Sequence, residues 1–402
     1  MSKYIHSLST GILLSALSLA GISGCSSDDT AETENALLKE VITDYADVVL
    51  LNYQDALSKA QNMQTAVNNL VSAPSEANLT AAKDAWLAAR EPYGQSEAFR
   101  FYGGPIDDED GPEGEMNSWP LDESYIDYVE VASNGDNPAD NDGTNIINST
   151  ETFPVIDKAL ISSLNEQGSE TNISAGYHAI EFLLWGQDKS EGPGGGTRPY
   201  TDYVTDGTGT ADNQERRAQY LQAVTELLVD DLQSLVNEWQ EGGAYRSFFT
   251  SEEQLTSSLE RIFNSLGKLS KGELAGERMF VAYDLRSKED EHSCFSDNTH
   301  RDIVNNALGM QNVYLGRYDT MQGKSIYDLV AFRNQALADE LAGMIATSVS
   351  SAEAIQAPFD QEFLAEPGRT RILTTINALR AQGDKVAEAA ALFGYTVNPE
   401  DI

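Results

Sequence analysis

Apolar residues recur at helical spacing from Ala36 to Val71, and the same period returns at 211–240, 251–288, 300–316, 324–347 and 367–393. A 3.6-residue period gathers them on one stripe of a helix, whereas a half-buried strand needs strict alternation, which persists nowhere in the chain. The fold class is therefore all-α, with helices long enough to pack as bundles. Pro74 closes the first segment, and Ser75 is the expected cap of the next, SEANLTAAKDAWLAAREPYGQSEAFRF, which should bend at Pro92. Residues 103–151 change character: GGPIDDEDGPEGE and SNGDNPADNDGTN are rich in Gly, Pro, Asp and Asn and read as loops around a short element at ESYIDYVEV. Their acidic clusters invite calcium, but neither has the ligand spacing of a helix-loop-helix calcium site.

The N-terminus, MSKYIHSLSTGILLSALSLAGISGC, has an early lysine, a short apolar run and small residues before Cys25, the pattern of a secretory signal. Ile22-Ser23-Gly24-Cys25 resembles the bacterial lipoprotein cleavage box, in which the cysteine becomes the acylated first residue. The expectation is an exported protein with a lipid anchor at Cys25, held on the membrane by more than one acyl chain. Ser26 rather than aspartate after the cysteine favours, by resemblance to Gram-negative lipoproteins, the outer membrane, with the body in the periplasm or at the cell surface. SSDDTAETEN, from residue 26 to 35, reads as a tether. With Cys25 lipidated, Cys294 has no partner for an intrachain disulfide. The 26 basic and 64 acidic residues give a formal net charge of −38, which repels nucleic acid and attracts cations without choosing among them.

The stretch GYHAIEFLLWGQD, residues 176–188, buries chemistry in an apolar run. In a helix His178, Glu181, Trp185 and Asp188 share one face, while Ile180, Phe182, Leu183 and Leu184 cover the rest. A helix apolar nearly all round belongs inside a domain, where an unpaired carboxylate is costly, so Glu181 needs a metal, an arginine or a hydrogen-bond network. On the second predicted helix Trp86, Arg90, Tyr93, Glu97 and Arg100 form a stripe mixing aromatic surface with both charge signs. EDEHSCFSDNTHRD, residues 289–302, offers His292, Cys294, Asp297 and His300 as nitrogen, sulfur and oxygen donors, although Asp297-Asn298-Thr299 also reads as a helix cap. Of four histidines in the chain, three lie in these two motifs. SAGYHAIEFLLWGQD (174–188) also overlays SKGELAGERMFVAYD (270–284) without a gap, pairing Ser174 with Ser270, Gly176 with Gly272, Glu181 with Glu277 and Asp188 with Asp284. That weak repeat suggests a duplicated bundle.

The sequence resembles the imelysin family, whose hallmark G-x-H-x-x-E is matched by Gly176, His178 and Glu181, and AWLAAREPYGQSEAFRFYGGPID is similar to it as well. KGELAGERM and EDEHSCFSDNTHRD resemble the iron-regulated protein A branch, and the likeness runs from about residue 36 to 393. It implies two pseudo-symmetric helical bundles in one compact body, a site in the groove between them, and a link to iron uptake. The division expected is a signal at 1–25, a tether at 26–35, a bundle at 36–205 and a second at 206–402.

Some members have been described as metallopeptidases, but the residues do not supply a zincin motif. H-x-x-E-F has Phe182 where the inverted form needs a second histidine. H-x-x-E suits iron, since an imidazole and a carboxylate one turn apart can bind one ion and facing helices add carboxylates. The expected metal set is His178, Glu181 and Glu97, with Glu277 next; zinc is the alternative metal. Trp86, Arg90, Arg100, Trp185, Glu277, Arg278, His292, Asp297 and His300 are expected to line the groove or support the ligands. Noncovalent haem or an iron chelate stays open, while the absence of C-x-x-C-H excludes covalent c-type attachment. The competing reading is a polar network in which His178 and Glu181 pair with Arg90, Arg100 or Arg278. The function expected is capture or relay of iron or an iron complex beside an outer-membrane receptor or transporter; a metallopeptidase and a metal-free receptor-partner lipoprotein are the rivals.

Overall fold

The computed structural model describes residues 26–130 and 143–401. The signal segment, the lipidation site at Cys25 and part of the second acidic loop lie outside the described residues. The protein is all-α: α1 Ser26–Ser72, α2 Glu76–Ser96, α3 Glu113–Asn117, α4 Glu123–Ile126, α5 Lys158–Leu164, α6 Gly176–Trp185, α7 Gln214–Trp239 and α8 Ala244–Phe249 lead into α9 Leu255–Lys268. A π-helical segment, Leu269–Phe280, continues α9 without a break into α10 Val281–Leu285. Then follow α11 Thr299–Leu315, α12 Ile326–Glu353, α13 Phe359–Leu364 and α14 Gly368–Ala391, with a two-residue hairpin at Arg317–Tyr318 and Met321–Gln322.

Local rules account for several of these ends. Ser75 Oγ accepts from the Asn78 N–H at 3.2 Å, the N-cap its position predicts. Pro92 lies inside α2, where the carbonyl of Pro92 takes a 2.8 Å hydrogen bond from Asn52 Nδ2 of α1. The expected tether is instead the start of α1, and Glu34 is already engaged at 2.5 Å by Arg333 Nε.

Two groups of helices pack against one another. α1 lies along α2 and α7, with α6 on α2 and α7; α14 runs along the π segment, α9 and α12, and α11 lies on α12. α2 and α11 form the seam between the groups. The division expected at residue 205 therefore falls too early, because α7 belongs with the first group. Its first turn carries Arg217, whose Nε and Nη2 clamp the two oxygens of buried Asp127 at 2.6 and 2.9 Å. Arg198 Nη1 reaches Asp127 Oδ2 at 2.7 Å, so the loop before α7 is tied to the same carboxylate.

Candidate functional site

The polar residues gathered at the seam, all buried but the half-buried Ser296, come from seven segments. α6 supplies His178 and Glu181, α2 supplies Arg90, the 3-10 turn Glu97–Phe99 supplies Glu97, and α3 ends at Asn117. The π segment brings Glu273 and Arg278, while the 291–296 loop and α11 bring His292, Ser293, Ser296 and Asp302.

His178 and His292 face one another with ring centroids 4.7 Å apart and planes at 75°. Each ring has a carboxylate on Nδ1: Glu181 Oε2 at 3.0 Å from His178, and Asp302 Oδ2 at 2.8 Å from His292. Against the upward pull of burial, Arg90 and then His292 hold Asp302 far below the usual carboxylate range. An ionised acceptor fixes the proton of His292 on Nδ1 and leaves Nε2 with its lone pair. Asn117 agrees with that tautomer. Its Oδ1 takes 2.7 Å from Arg90 Nη1, which turns Nδ2 toward His292 Nε2, 3.5 Å away. His178 Nε2 is buried with no hydrogen-bond partner among the described residues. Burial lowers both imidazoles to about 3, helped by Arg90 and Arg278 at His178 and by Arg278 at His292, so both rings are neutral at physiological pH.

Glu181 lies behind His178 rather than beside a free ligand position. Its Oε1 accepts from both the N–H and the hydroxyl of Ser296, at 2.8 and 2.7 Å, and its Oε2 faces His178. Burial pushes its carboxyl up to about 8 despite those two donors. Glu97 is likewise engaged: Oε2 receives Arg100 at 2.6 Å and Arg278 at 2.7 Å, and Asn117 Nδ2 stands 3.3 Å from Oε1. Burial would raise Glu97, but Arg278 and Arg100 overcome it and bring its pKa down to about 2. Among the described residues no three His, Cys, Asp or Glu side chains converge as a metal-holding group. The expected set of His178, Glu181 and Glu97 is thus not gathered as three ligands, because each carboxylate is spent on a neighbour. The nitrogens left without a carboxylate are the two Nε2 atoms, each ring having an acid on its other nitrogen, an outer arrangement that metal-binding histidines also use.

The remaining expected residues divide clearly. Arg90 sits at the centre, donating to Asp302 Oδ1 from Nε and Nη2 at 3.2 and 3.1 Å with its guanidinium 5.0 Å from the Tyr177 ring. Trp86 Nε1 donates to the Tyr177 carbonyl at 2.9 Å and its ring meets Trp185 at 5.4 Å, so this pair forms the wall behind α6. Arg100 bridges Glu97 and Glu113, and Arg278 bridges Glu97, Glu273 and Asn306. Glu277 is exposed and lines nothing. A π turn takes more residues than an α turn, so the gapless overlay on α6 loses register, and the buried carboxylate is Glu273, five residues before Arg278 and 2.8 Å from its Nε.

Asp297 and His300 do not reach the imidazole pair. Asp297, at φ 61°, accepts the Gly194 N–H at 2.9 Å and does not cap α11; His300 Nδ1 lies 3.2 Å from its carbonyl. Asp188 accepts from the Ser190 N–H, as an orienting rather than ligating residue would. Phe182 packs on Phe295 at 5.2 Å, so no second ligand of a peptidase-type motif stands there. Sequence reasoning passed over Asp302 and Asn117. Asp302 ends the very motif EDEHSCFSDNTHRD, and a carboxylate one helical turn into α11 behind a histidine-bearing loop was the available signal.

The fold and this seam define an all-α protein of two packed helix groups with a buried pair of carboxylate-steered histidines between them. The chain belongs to the imelysin family, whose profile matches residues 49–386. It is 25% identical over 364 residues to the iron-regulated protein A of Synechococcus elongatus, a match spanning 88% of this chain and 86% of that one. The crystal structure of an iron-regulated protein A precursor from Parabacteroides distasonis superposes with a TM-score of 0.69 at 21% identity, over 89% of this chain and 95% of that chain. An imelysin-like protein from Psychrobacter arcticum gives a TM-score of 0.63 at 15% identity, over 92% and 98%. At these identities the two structural matches speak for the fold.

Proposed function

We propose that the chain is an exported, lipid-anchored protein that binds iron between its two helix groups and relays it to an outer-membrane receptor or transporter. The observation that carries this reading is the buried His178–His292 pair: two neutral rings, each held on Nδ1 by a carboxylate, with His178 Nε2 lacking any partner. Neutral imidazole suits ferrous iron and zinc alike, so zinc is the competing metal and iron the favoured one, given the name carried by the relative from Synechococcus elongatus. His178 and His292 would bind the ion through Nε2; Asp302 would hold the His292 ring in the ligating tautomer, and Glu181 would do the same for His178 once its carboxyl is ionised. Other coordination positions would be filled by water or by groups that arrive with the metal. Anchoring through Cys25 would keep the body beside the membrane, and the acidic surface would concentrate cations around it.

Calorimetric titration with ferrous iron, ferric citrate and zinc, run on the wild type and on His178→Ala and His292→Ala, tests it. Saturable one-site binding of ferrous iron, lost in both variants, is the expected result. Equal, weak, salt-sensitive uptake in all three proteins would mean that the surface charge alone attracts metal.

A further inference from the structure

Beside the two imidazoles lies a cavity of about 30 Å³, whose lining includes Trp119, Cys294, His178 and His292. A buried water needs roughly 10–15 Å³ of such space, so the cavity holds an ion or one or two waters. Pockets for organic ligands start at about 300 Å³, an order of magnitude larger.

Trp119 is the largest side chain in that lining. Its ring stands edge-on to His292, 5.2 Å between centroids at 89°. The segment that carries it is pinned on both sides: two residues before, Asn117 is held by Arg90 at 2.7 Å, and three residues after, the Asp122 N–H donates to the Thr171 carbonyl at 2.8 Å. The chain that carries the indole is thus held on both sides, and the ring packs edge-on against His292. The same cavity is bordered by Glu123 and Glu289, which suit the approach of a cation and oppose an anionic complex.

We infer that Trp119 determines the specificity of the site, admitting a bare divalent cation to His178 and His292 and excluding iron still wrapped in an organic chelator. The inference rests on the iron-binding reading above and narrows its ligand class to the free ion. Shape rejects the chelate, and the acidic border adds charge repulsion.

The test titrates the purified full chain, Trp119→Ala, Trp119→Phe and Trp119→Ala/His178→Ala with ferrous ion and with ferric citrate. The wild type should take up ferrous ion saturably and bind ferric citrate at least about 100-fold more weakly. Trp119→Ala should gain about tenfold or more for the citrate complex with ferrous affinity little changed, and Trp119→Phe, which keeps a ring in the wall, should discriminate like the wild type. The gain should vanish when His178 is also removed. Wild-type protein that binds ferric citrate as well as ferrous ion, or a Trp119→Ala variant that folds and discriminates unchanged, overturns the inference while leaving iron binding intact. No ferrous binding by the wild type would remove the parent reading and this one together.

Discussion

His178 and His292 lie with ring centroids 4.7 Å apart, and each has its Nδ1 on a different carboxylate, Glu181 at 3.0 Å and Asp302 at 2.8 Å. Neither acid therefore has to ligate for the pair to work. They decide which nitrogen of each ring keeps a lone pair, a role that an H-x-x-E spacing does not reveal.

Acid should weaken the fold through these rings. Burial, with Arg278 beside the ring, lowers His292 to about 3, against 6.5 when exposed. The folded value lies below the unfolded one, so the unfolded state takes up a proton that the native state refuses. The contribution is complete above pH 6.5 and is lost as pH falls toward about 3, at up to about 1.4 kcal/mol per pH unit. In urea unfolding at pH 6.5 and pH 5, wild type should lose more stability than His292→Gln by about that slope. Identical pH dependence in the two proteins would show that His292 titrates normally.

The π segment makes a second, sharper claim. Arg278 alone bridges Glu97 at 2.7 Å and Glu273 at 2.8 Å, and all three are buried. Arg278→Ala leaves two carboxylates without that partner and should destabilise by about 3–5 kcal/mol or prevent folding. Glu277→Ala, at an exposed position of the same segment, should stay within about 0.5 kcal/mol of wild type. Thermal unfolding of both variants separates the observed register from the gapless repeat, which assigns the buried role to Glu277.

Helices were legible because their period survives in sequence: five long predicted segments overlap α7, the continuous α9–π–α10 helix, α11, α12 and α14. The burial of α6 was legible too, since a helix apolar nearly all round has nowhere else to go. Which carboxylate meets which histidine was not legible. Asp302 finds His292 by a loop that folds back between them, and Asn117 comes from a Gly- and Pro-rich region with no periodicity to read. Glu97 lies at the seam, yet the arginines that engage it lie at 100 and 278, and only tertiary packing brings the second within 2.7 Å. The boundary after α7 escaped notice because the Asp127–Arg217 clamp joins residues far apart in sequence.

Glu181→Gln isolates the tautomer. The amide oxygen can still accept from the Ser296 N–H and hydroxyl, so the fold should hold and the melting temperature change little. The amide nitrogen donates to His178 Nδ1 at every pH and keeps the ring proton on Nε2, the atom meant to ligate, whereas the wild-type carboxylate accepts from Nδ1 once it is ionised. Above pH 8, ferrous affinity should therefore be about 10–100-fold lower than in the wild type. Nitrogen NMR of the His178 ring gives the independent readout: protonation at Nδ1 in Glu181→Gln would contradict the assignment.

Binding at His178 Nε2 should also release a proton. Burial pushes the Glu181 carboxyl up to about 8, so near pH 7 it keeps its proton and directs it at His178 Nδ1, which leaves the other ring proton on Nε2. Ligation needs Nε2 bare and Nδ1 protonated, and that arrangement holds one proton fewer across the pair. Ferrous affinity should accordingly rise about tenfold per pH unit from pH 6 to 8 and level off above. Titration in buffers of different ionisation enthalpy should count close to one proton released at pH 7, and Glu181→Gln, which has no carboxyl to titrate, should flatten the profile. A wild-type affinity independent of pH across that range would mean that Glu181 is ionised throughout and that His178 stands ready to ligate without any proton leaving.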